Sequence, residues 1–128
     1  MKEIKELELK TETKEFEFKT IKVGDDTYIV KNDELSNIIE PEKIPYPLVI
    51  FFNNKYYLLE CSEKYSIFDG SEINIYGKNY KVVVYPARYS QIYIIKNFSL
   101  DGITKDANFF PYRNIFKIKN ELYFTKTK

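Results

Sequence analysis

The chain of 128 residues carries a formal net charge of +1 and is 44% apolar, 30% charged and 17% aromatic, which is typical of one globular domain and unlike a disordered chain. It has no histidine, no tryptophan and one cysteine, so it cannot form an internal disulfide, a Cys/His zinc cluster, or a Ser-His or Cys-His catalytic dyad. We expect neither a metal ion nor a cofactor.

The apolar residues are dominated by types that favour strands. Sixteen isoleucines, twelve tyrosines and ten phenylalanines stand against two alanines. β-Branched and aromatic side chains fit a pleated surface and lower helix propensity. We predict a mostly β protein: a single domain over residues 1–128, built as an antiparallel β-barrel or a two-sheet sandwich with one short helix.

The N-terminal segment alternates between apolar and polar residues from Lys5 to Val23. The phase of this alternation changes near residues 14–15, which indicates a turn or a bulge there. Ile4 and Leu7 also have helical spacing, so the first ten residues are open to either strand or helix.

A turn, a helix and a connector are predicted next. Gly24-Asp25-Asp26 is a turn signal that pairs the preceding strand with Tyr28-Ile29-Val30 as a hairpin. Asp33 can cap a short helix over residues 34–40. Three prolines in residues 41–47 then forbid a regular helix or a central strand, so this stretch is predicted to be a rigid extended connector within the domain.

The central hairpin is the clearest prediction in the chain. Leu48 to Phe52 and Tyr56 to Cys61 are almost entirely apolar and flank Asn53-Asn54-Lys55. Continuous apolar strands are typical of positions covered on both faces. We therefore place the centre of the fold here.

Turn residues separate further apolar runs towards the C-terminus. We predict a turn at Phe68–Ser71, a hairpin of Glu72–Tyr76 with Tyr80–Tyr85 around Gly77-Lys78-Asn79, a strand from Gln91 to Lys96, a turn at Asp101-Gly102, an irregular stretch from there to Pro111, and a hairpin of Ile115–Lys119 with Leu122–Thr125. Alternation within these strands predicts a core of Leu48, Ile50, Phe52, Leu58, Ile75, Val82, Val84, Ile92, Ile94, Phe116 and Ile118.

Catalysis has little support in the sequence. Without histidine, a nuclease-like site of carboxylates and a lysine would have to come from Glu60, Glu63, Lys64 and Asp69, and no convincing order of these residues along the strands is found. The lone Cys61 continues the apolar alternation of the central hairpin and has no histidine partner, which favours packing over catalysis. We predict that the protein is not an enzyme.

The charge differs between the two halves of the chain. Residues 1–64 carry 10 lysines and 14 acidic residues, whereas residues 65–128 carry 10 basic and 5 acidic residues. Lysines beside aromatic rings in the second half suit a single-stranded nucleic acid, which stacks bases on rings and places phosphates on cations. The candidate residues for this alternative are Lys78, Tyr80, Lys81, Lys117 and Lys119.

Protein binding is the preferred function. Tyrosine and arginine are enriched at the energetic centres of protein interfaces, and the near-neutral net charge favours a protein over a nucleic-acid partner. The candidate residues lie beside prolines or turns: Tyr46, Arg88, Tyr89, Tyr112 and Arg113. Acidic strands between Glu6 and Glu17 would suit a basic partner such as a nucleic-acid-binding protein, and a homodimer is a further alternative.

The setting of the protein is predicted from two further features. The longest apolar run has five residues, Leu48 to Phe52, and no export signal is visible, which favours the cytoplasm of the cell or host over a membrane. The bias towards Lys, Ile and Asn and the small size are compatible with a virus or mobile element.

Overall fold

The structure, a computed structural model, describes residues 2–7, 18–31, 38–61, 67–111 and 113–125. Within these ranges the regular elements are all β-strands, which confirms the mostly β prediction, and no helix is present. They are β1 (Lys2–Glu6), β2 (Phe18–Val23), β3 (Asp26–Lys31), β4 (Ile38–Ile39), β5 (Pro47–Phe52), β6 (Lys55–Glu60), β7 (Glu72–Ile75), β8 (Lys78–Pro86), β9 (Gln91–Leu100), β10 (Ile103–Pro111), β11 (Ile115–Ile118) and β12 (Glu121–Phe124).

The chain divides into two compact units. Unit 1 contains Met1–Glu3 and Ile44–Tyr112, and unit 2 contains Ile4–Lys43 and Arg113–Lys128. The step from residue 43 to residue 44 lies in the predicted connector over residues 41–47, of which Pro47 proves to be the first residue of β5, a position in a strand that proline tolerates. The single domain over residues 1–128 stays a prediction.

In the ranges that the structure describes, the strands form two hydrogen-bonded sheets, and neither of these is closed into a barrel. In unit 1 the strand order is β1-β6-β5-β10-β9-β8-β7. In unit 2 the orders are β11-β12-β1 and β2-β3-β4. The hairpin pairs are antiparallel as predicted, whereas β1 pairs with β12 in parallel.

Tight turns explain why the hairpins form at these positions. Four two-residue turns have positive φ at both residues, the type I′ geometry that matches the twist of the flanking strands: Asn53-Asn54, Tyr76-Gly77, Asp101-Gly102 and Lys119-Asn120. The second hairpin of unit 1 turns earlier than predicted, because the glycine of the pair takes the second turn position and β8 starts at Lys78. The predicted turn at Phe68–Ser71 is confirmed by a hydrogen bond from the Ser71 N–H to the Phe68 carbonyl (3.1 Å).

The prediction of an irregular stretch before Pro111 is wrong, because Ile103–Pro111 forms β10. Its polar residues lie on an exposed surface of the sheet, and only Ala107 and Phe109 are buried. β10 pairs with β9 on one side and with the central strand β5 on the other. Sequence alternation failed here because a solvent-facing strand can carry polar residues at most positions.

The core of unit 1 lies on one face of its sheet. It contains Leu48, Ile50, Phe52, Leu59, Cys61, Ile73, Ile75, Tyr80, Val82, Ile95, Phe98, Ala107 and Phe109, with Tyr57, Val84, Tyr93 and Leu100 packed against it. Of the predicted core residues, Leu58 and Phe116 are also buried, whereas Val84, Ile94 and Ile118 are only half-buried. Ile92 was placed in the core wrongly, since 46% of its surface is exposed.

A β-bulge changes the phase of β9. The register with β10 shifts between Lys105 and Ala107, so two residues of β9, Lys96 and Asn97, stand where β10 has only Asp106. Asn97 has a φ of 54°, a left-handed conformation that asparagine tolerates. The extra residue lets Ile95 and Phe98 both reach the core although they are three positions apart.

Two predictions near the N-terminus have partial outcomes. Residues 2–6 form a strand, which decides between strand and helix for that part of the first ten residues. The phase change at residues 14–15 lies outside the described residues. The short helix over residues 34–40 is not confirmed: residues 34–37 lie outside the described ranges, and Ile38 and Ile39 pair with β3 as a strand.

Candidate interaction surface

Exposed apolar side chains gather where β8 and β9 meet. Tyr85 and Ile92 are directly opposite each other on the two strands, and they are 43% and 46% exposed. Their neighbours Val84 and Tyr93 pack against the core. Because side chains alternate along a strand, Tyr85 and Ile92 point to the opposite face of the sheet, away from that core.

The loop that joins the two strands adds a cation and a second tyrosine. A hydrogen bond from the Ala87 N–H to the Ser90 carbonyl (2.9 Å) closes this loop. Tyr89 is 84% exposed, the highest value among the exposed large apolar residues of the described chain. The Arg88 guanidinium carbon lies 5.3 Å from the centre of the Tyr89 ring, in cation–π geometry.

The edge of β8 beside this loop is closed by the segment before β7. The Asp69 carboxylate accepts a hydrogen bond from the Val84 N–H (3.1 Å), and the Gly70 N–H donates to the Val82 carbonyl (2.9 Å). Phe68, next to Asp69, is 60% exposed. We call the set of Phe68, Tyr85, Arg88, Tyr89 and Ile92 the β8–β9 corner.

Two charged side chains beside the corner, Lys96 and Asp106, form an ion pair with each other. Lys96 Nζ lies 2.8 Å from Asp106 Oδ2, and the Asn97 N–H donates to Asp106 Oδ1 (3.2 Å). These hydrogen bonds hold the pKa of Asp106 below its usual value, and the bond to Asp106 raises the pKa of Lys96. Lys96 Nζ also stands 5.9 Å from the Tyr85 ring centre.

Tyr46 lies at the same end of the unit 1 sheet as the corner. The registers align Leu48 with Pro111 and Asn108 with Ile94, so β5 begins at the end where β9 begins. Tyr46 is 43% exposed and has a φ of 49°, a left-handed conformation that is costly for a bulky residue. Its carbonyl accepts a hydrogen bond from the Cys61 N–H (3.2 Å), which ties the strained residue to the end of β6.

The structure brings together three of the five residues predicted to bind a protein partner. Tyr46, Arg88 and Tyr89 share one end of the unit 1 sheet. Tyr112 lies outside the described residues. Arg113 belongs to unit 2 and is half-buried.

The residues predicted for nucleic-acid binding divide between the two units. Lys78, Tyr80 and Lys81 are in unit 1, and Lys117 and Lys119 are exposed in unit 2. The Tyr80 ring is only 8% exposed and packs 5.4 Å from the Phe98 ring centre. A ring so deeply buried offers no face on which a base could stack.

The candidate catalytic residues are separated or already engaged. Asp69 caps the edge of β8, Glu60 is exposed at the end of β6, and Glu63 and Lys64 lie outside the described residues. Cys61 is packed in the core, and its burial raises the pKa of the thiol to about 11. Since the thiolate is the nucleophile, this shift disfavours a nucleophilic role for Cys61.

Sequence reasoning missed Phe68, Tyr85 and Ile92 as surface residues. Phe68 was assigned to a turn, and Ile92 to the core. The signal that could have found Tyr85 and Ile92 is their equal distance from the β8–β9 loop, which makes them cross-strand partners on one face. The adjacent residues Val84 and Tyr93 point to the other face of the sheet and pack against the core. Tyr85 and Ile92 are therefore left on the exposed face.

In the part of the chain that the structure describes, no helix is long and apolar enough to cross a bilayer, and no cluster of three or more Asp, Glu, Cys or His side chains could hold a metal ion. No protein family, curated protein or solved structure matches the chain.

Proposed function

We propose that the protein is a non-catalytic protein-binding module that occludes the surface of its target, as an inhibitor or adaptor does. The observation that carries this proposal is the β8–β9 corner, which contains four exposed apolar or aromatic side chains and an exposed arginine. Tyrosine and arginine are the residue types most enriched at the energetic centres of protein interfaces.

The size of the corner supports a protein-sized contact. An aromatic side chain presents roughly 150–250 Å², so the exposed parts of the corner amount to on the order of 400 Å². A standard interface commits about 800 Å² on each side. Tyr46, at the same end of the sheet, is a further exposed aromatic side chain.

At the corner, the partner is expected to contact side chains instead of adding a strand to β8. Strand addition needs free backbone groups at an edge. On β8 the Val84 N–H is bonded to Asp69, and Pro86 has no N–H to offer. We further propose that the protein acts in the cytoplasm and derives from a virus or mobile element, for which the support is its composition.

A pull-down with matched tyrosine variants tests the proposal. Full-length wild-type protein, Tyr89→Asn and Tyr76→Asn are immobilised, incubated with extract of the native cell or host with and without nuclease, and the captured proteins are identified by mass spectrometry. Tyr76 is the control because it is an equally aromatic, 66% exposed residue at the other end of β8.

We expect a protein that wild type and Tyr76→Asn retain, that Tyr89→Asn loses, and that nuclease does not release. Partners that are all released by nuclease would favour the single-stranded nucleic-acid alternative. Equal retention by Tyr89→Asn would remove the corner from the binding surface.

A further inference from the structure

We propose that the β8–β9 corner recognises an acidic segment of its partner: a carboxylate pairs with Arg88, and an apolar side chain of the same segment packs against Tyr89 and the Tyr85–Ile92 pair. This inference rests on the proposed protein-binding function and adds the chemistry of the partner.

Arg88 is the cation best prepared for such a contact. Its guanidinium carbon lies 5.3 Å from the centre of the Tyr89 ring, in cation–π range, and this contact does not use its N–H donors. Among the residues that the structure describes, no carboxylate lies within 4.0 Å of it. A planar guanidinium can bind a carboxylate through two parallel hydrogen bonds.

The carboxylates of Asp69 and Asp106 already accept hydrogen bonds from groups other than Arg88. The Asp69 carboxylate accepts from the Val84 N–H, and the Asp106 carboxylate accepts from Lys96 and from the Asn97 N–H. Among the described residues, Arg88 therefore has no ion-pair partner, and its guanidinium is free to pair with a carboxylate from outside the protein. A carboxylate supplied by a partner is electrostatically complementary to this guanidinium.

The apolar part of the corner favours a peptide over a nucleic acid. Tyr85 and Ile92 form an exposed apolar pair, and an aliphatic or aromatic side chain would pack on it. A nucleic-acid strand needs several cations along its backbone. The second cation at the corner, Lys96, is already paired with Asp106.

Peptide selection against the whole protein tests the inference. A displayed library of random twelve-residue peptides is selected on the full chain, and the recovered peptides are synthesised with a fluorophore. Their affinity is measured by fluorescence anisotropy for wild type, Arg88→Glu, Arg88→Lys, Tyr89→Asn and Lys105→Glu. Lys105 is the matched control, an exposed lysine of β10 that pairs with Phe98, far along β9 from the corner.

We expect recovered peptides enriched in Asp or Glu together with apolar residues. Arg88→Glu should weaken their binding at least tenfold, Arg88→Lys should weaken it less, and Lys105→Glu should change it by less than about twofold, because a distant surface charge is screened. Circular dichroism and the unfolding midpoint of each variant would show that these exposed substitutions leave the fold intact.

Three results would overturn the inference. Peptides that are neutral or basic, indifferent to Arg88→Glu and lost on Tyr89→Asn would refute the acidic partner while leaving the protein-binding function in place. Tight binding of oligo(dT) of twelve nucleotides, abolished by Arg88→Glu, would assign the corner to nucleic acid. Self-association in sedimentation velocity, abolished by Arg88→Glu, would name a second copy of the chain as the occupant.

Discussion

Substitution of Tyr46 by glycine and by alanine should reverse the usual order of their stabilities. Alanine in place of glycine normally stabilises a protein by roughly 0.4–1 kcal/mol, because alanine has less conformational freedom in the unfolded chain. A left-handed conformation costs a residue with a Cβ roughly 1–2 kcal/mol, and the φ of Tyr46 is 49°. Both variants lose the tyrosine ring equally, so their difference reports the backbone. We expect Tyr46→Gly to be more stable than Tyr46→Ala by about 1 kcal/mol.

Urea denaturation monitored by tyrosine fluorescence measures this difference, and a thermal melt should separate the two variants by roughly 3–5 °C. A Tyr46→Ala variant as stable as Tyr46→Gly, or more stable, would show that this backbone is not left-handed in solution. The same pair of proteins informs the binding proposal. If the Tyr46 ring is an anchor, both variants should lose the partner that wild type captures, whatever their relative stability.

Two further predictions concern the bulged strand. Phe98→Ala should lower the free energy of unfolding by about 3–5 kcal/mol, because Phe98 is 2% exposed. Phe68→Ala should change the free energy of unfolding by no more than about 0.5 kcal/mol. Equal losses for the two variants in urea denaturation would refute the assigned phase of β9. Asp106→Asn should destabilise the protein at neutral pH, because the bonds from Lys96 and Asn97 lower the Asp106 pKa in the folded state. That stability is present above the unfolded pKa and is lost as the pH falls through the folded pKa, so a difference that persists unchanged at about pH 2 would contradict the assignment.

The hairpins were predictable because their signals are local. Asn53-Asn54 and Asp101-Gly102 have residue types that adopt positive φ readily, and the apolar runs beside them define strands. The central hairpin was therefore placed correctly. The last hairpin was also predicted, but its turn lies one residue earlier than predicted, at Lys119-Asn120. The reason is that the asparagine takes the second left-handed position of the turn.

The rest depends on pairing between distant residues. The burial of Ile95 and Phe98 in place of Ile92 follows from one extra residue at Asn97, and no periodicity in β9 alone indicates that bulge. The signal lies on the neighbouring strand, in the Asp106 carboxylate that accepts from Lys96 and from the Asn97 N–H. The residues of the corner were predicted only in part for the same reason. Whether Tyr85 is exposed depends on which face of the sheet packs against the core, and that depends on strands far away in the sequence.

The corner combines an apolar face with a closed edge, and this combination bears on how a partner can bind. Apolar side chains beside an open strand edge would invite pairing with any extended chain. Here the Val84 N–H donates its hydrogen bond to the Asp69 carboxylate. Pro86, the next residue whose N–H would face this edge, has no N–H. Backbone pairing is thereby blocked where Tyr85, Tyr89 and Arg88 are most exposed. A partner must be recognised by its side chains, and selectivity then depends on the match between its carboxylate and apolar groups and the arginine and rings of the corner.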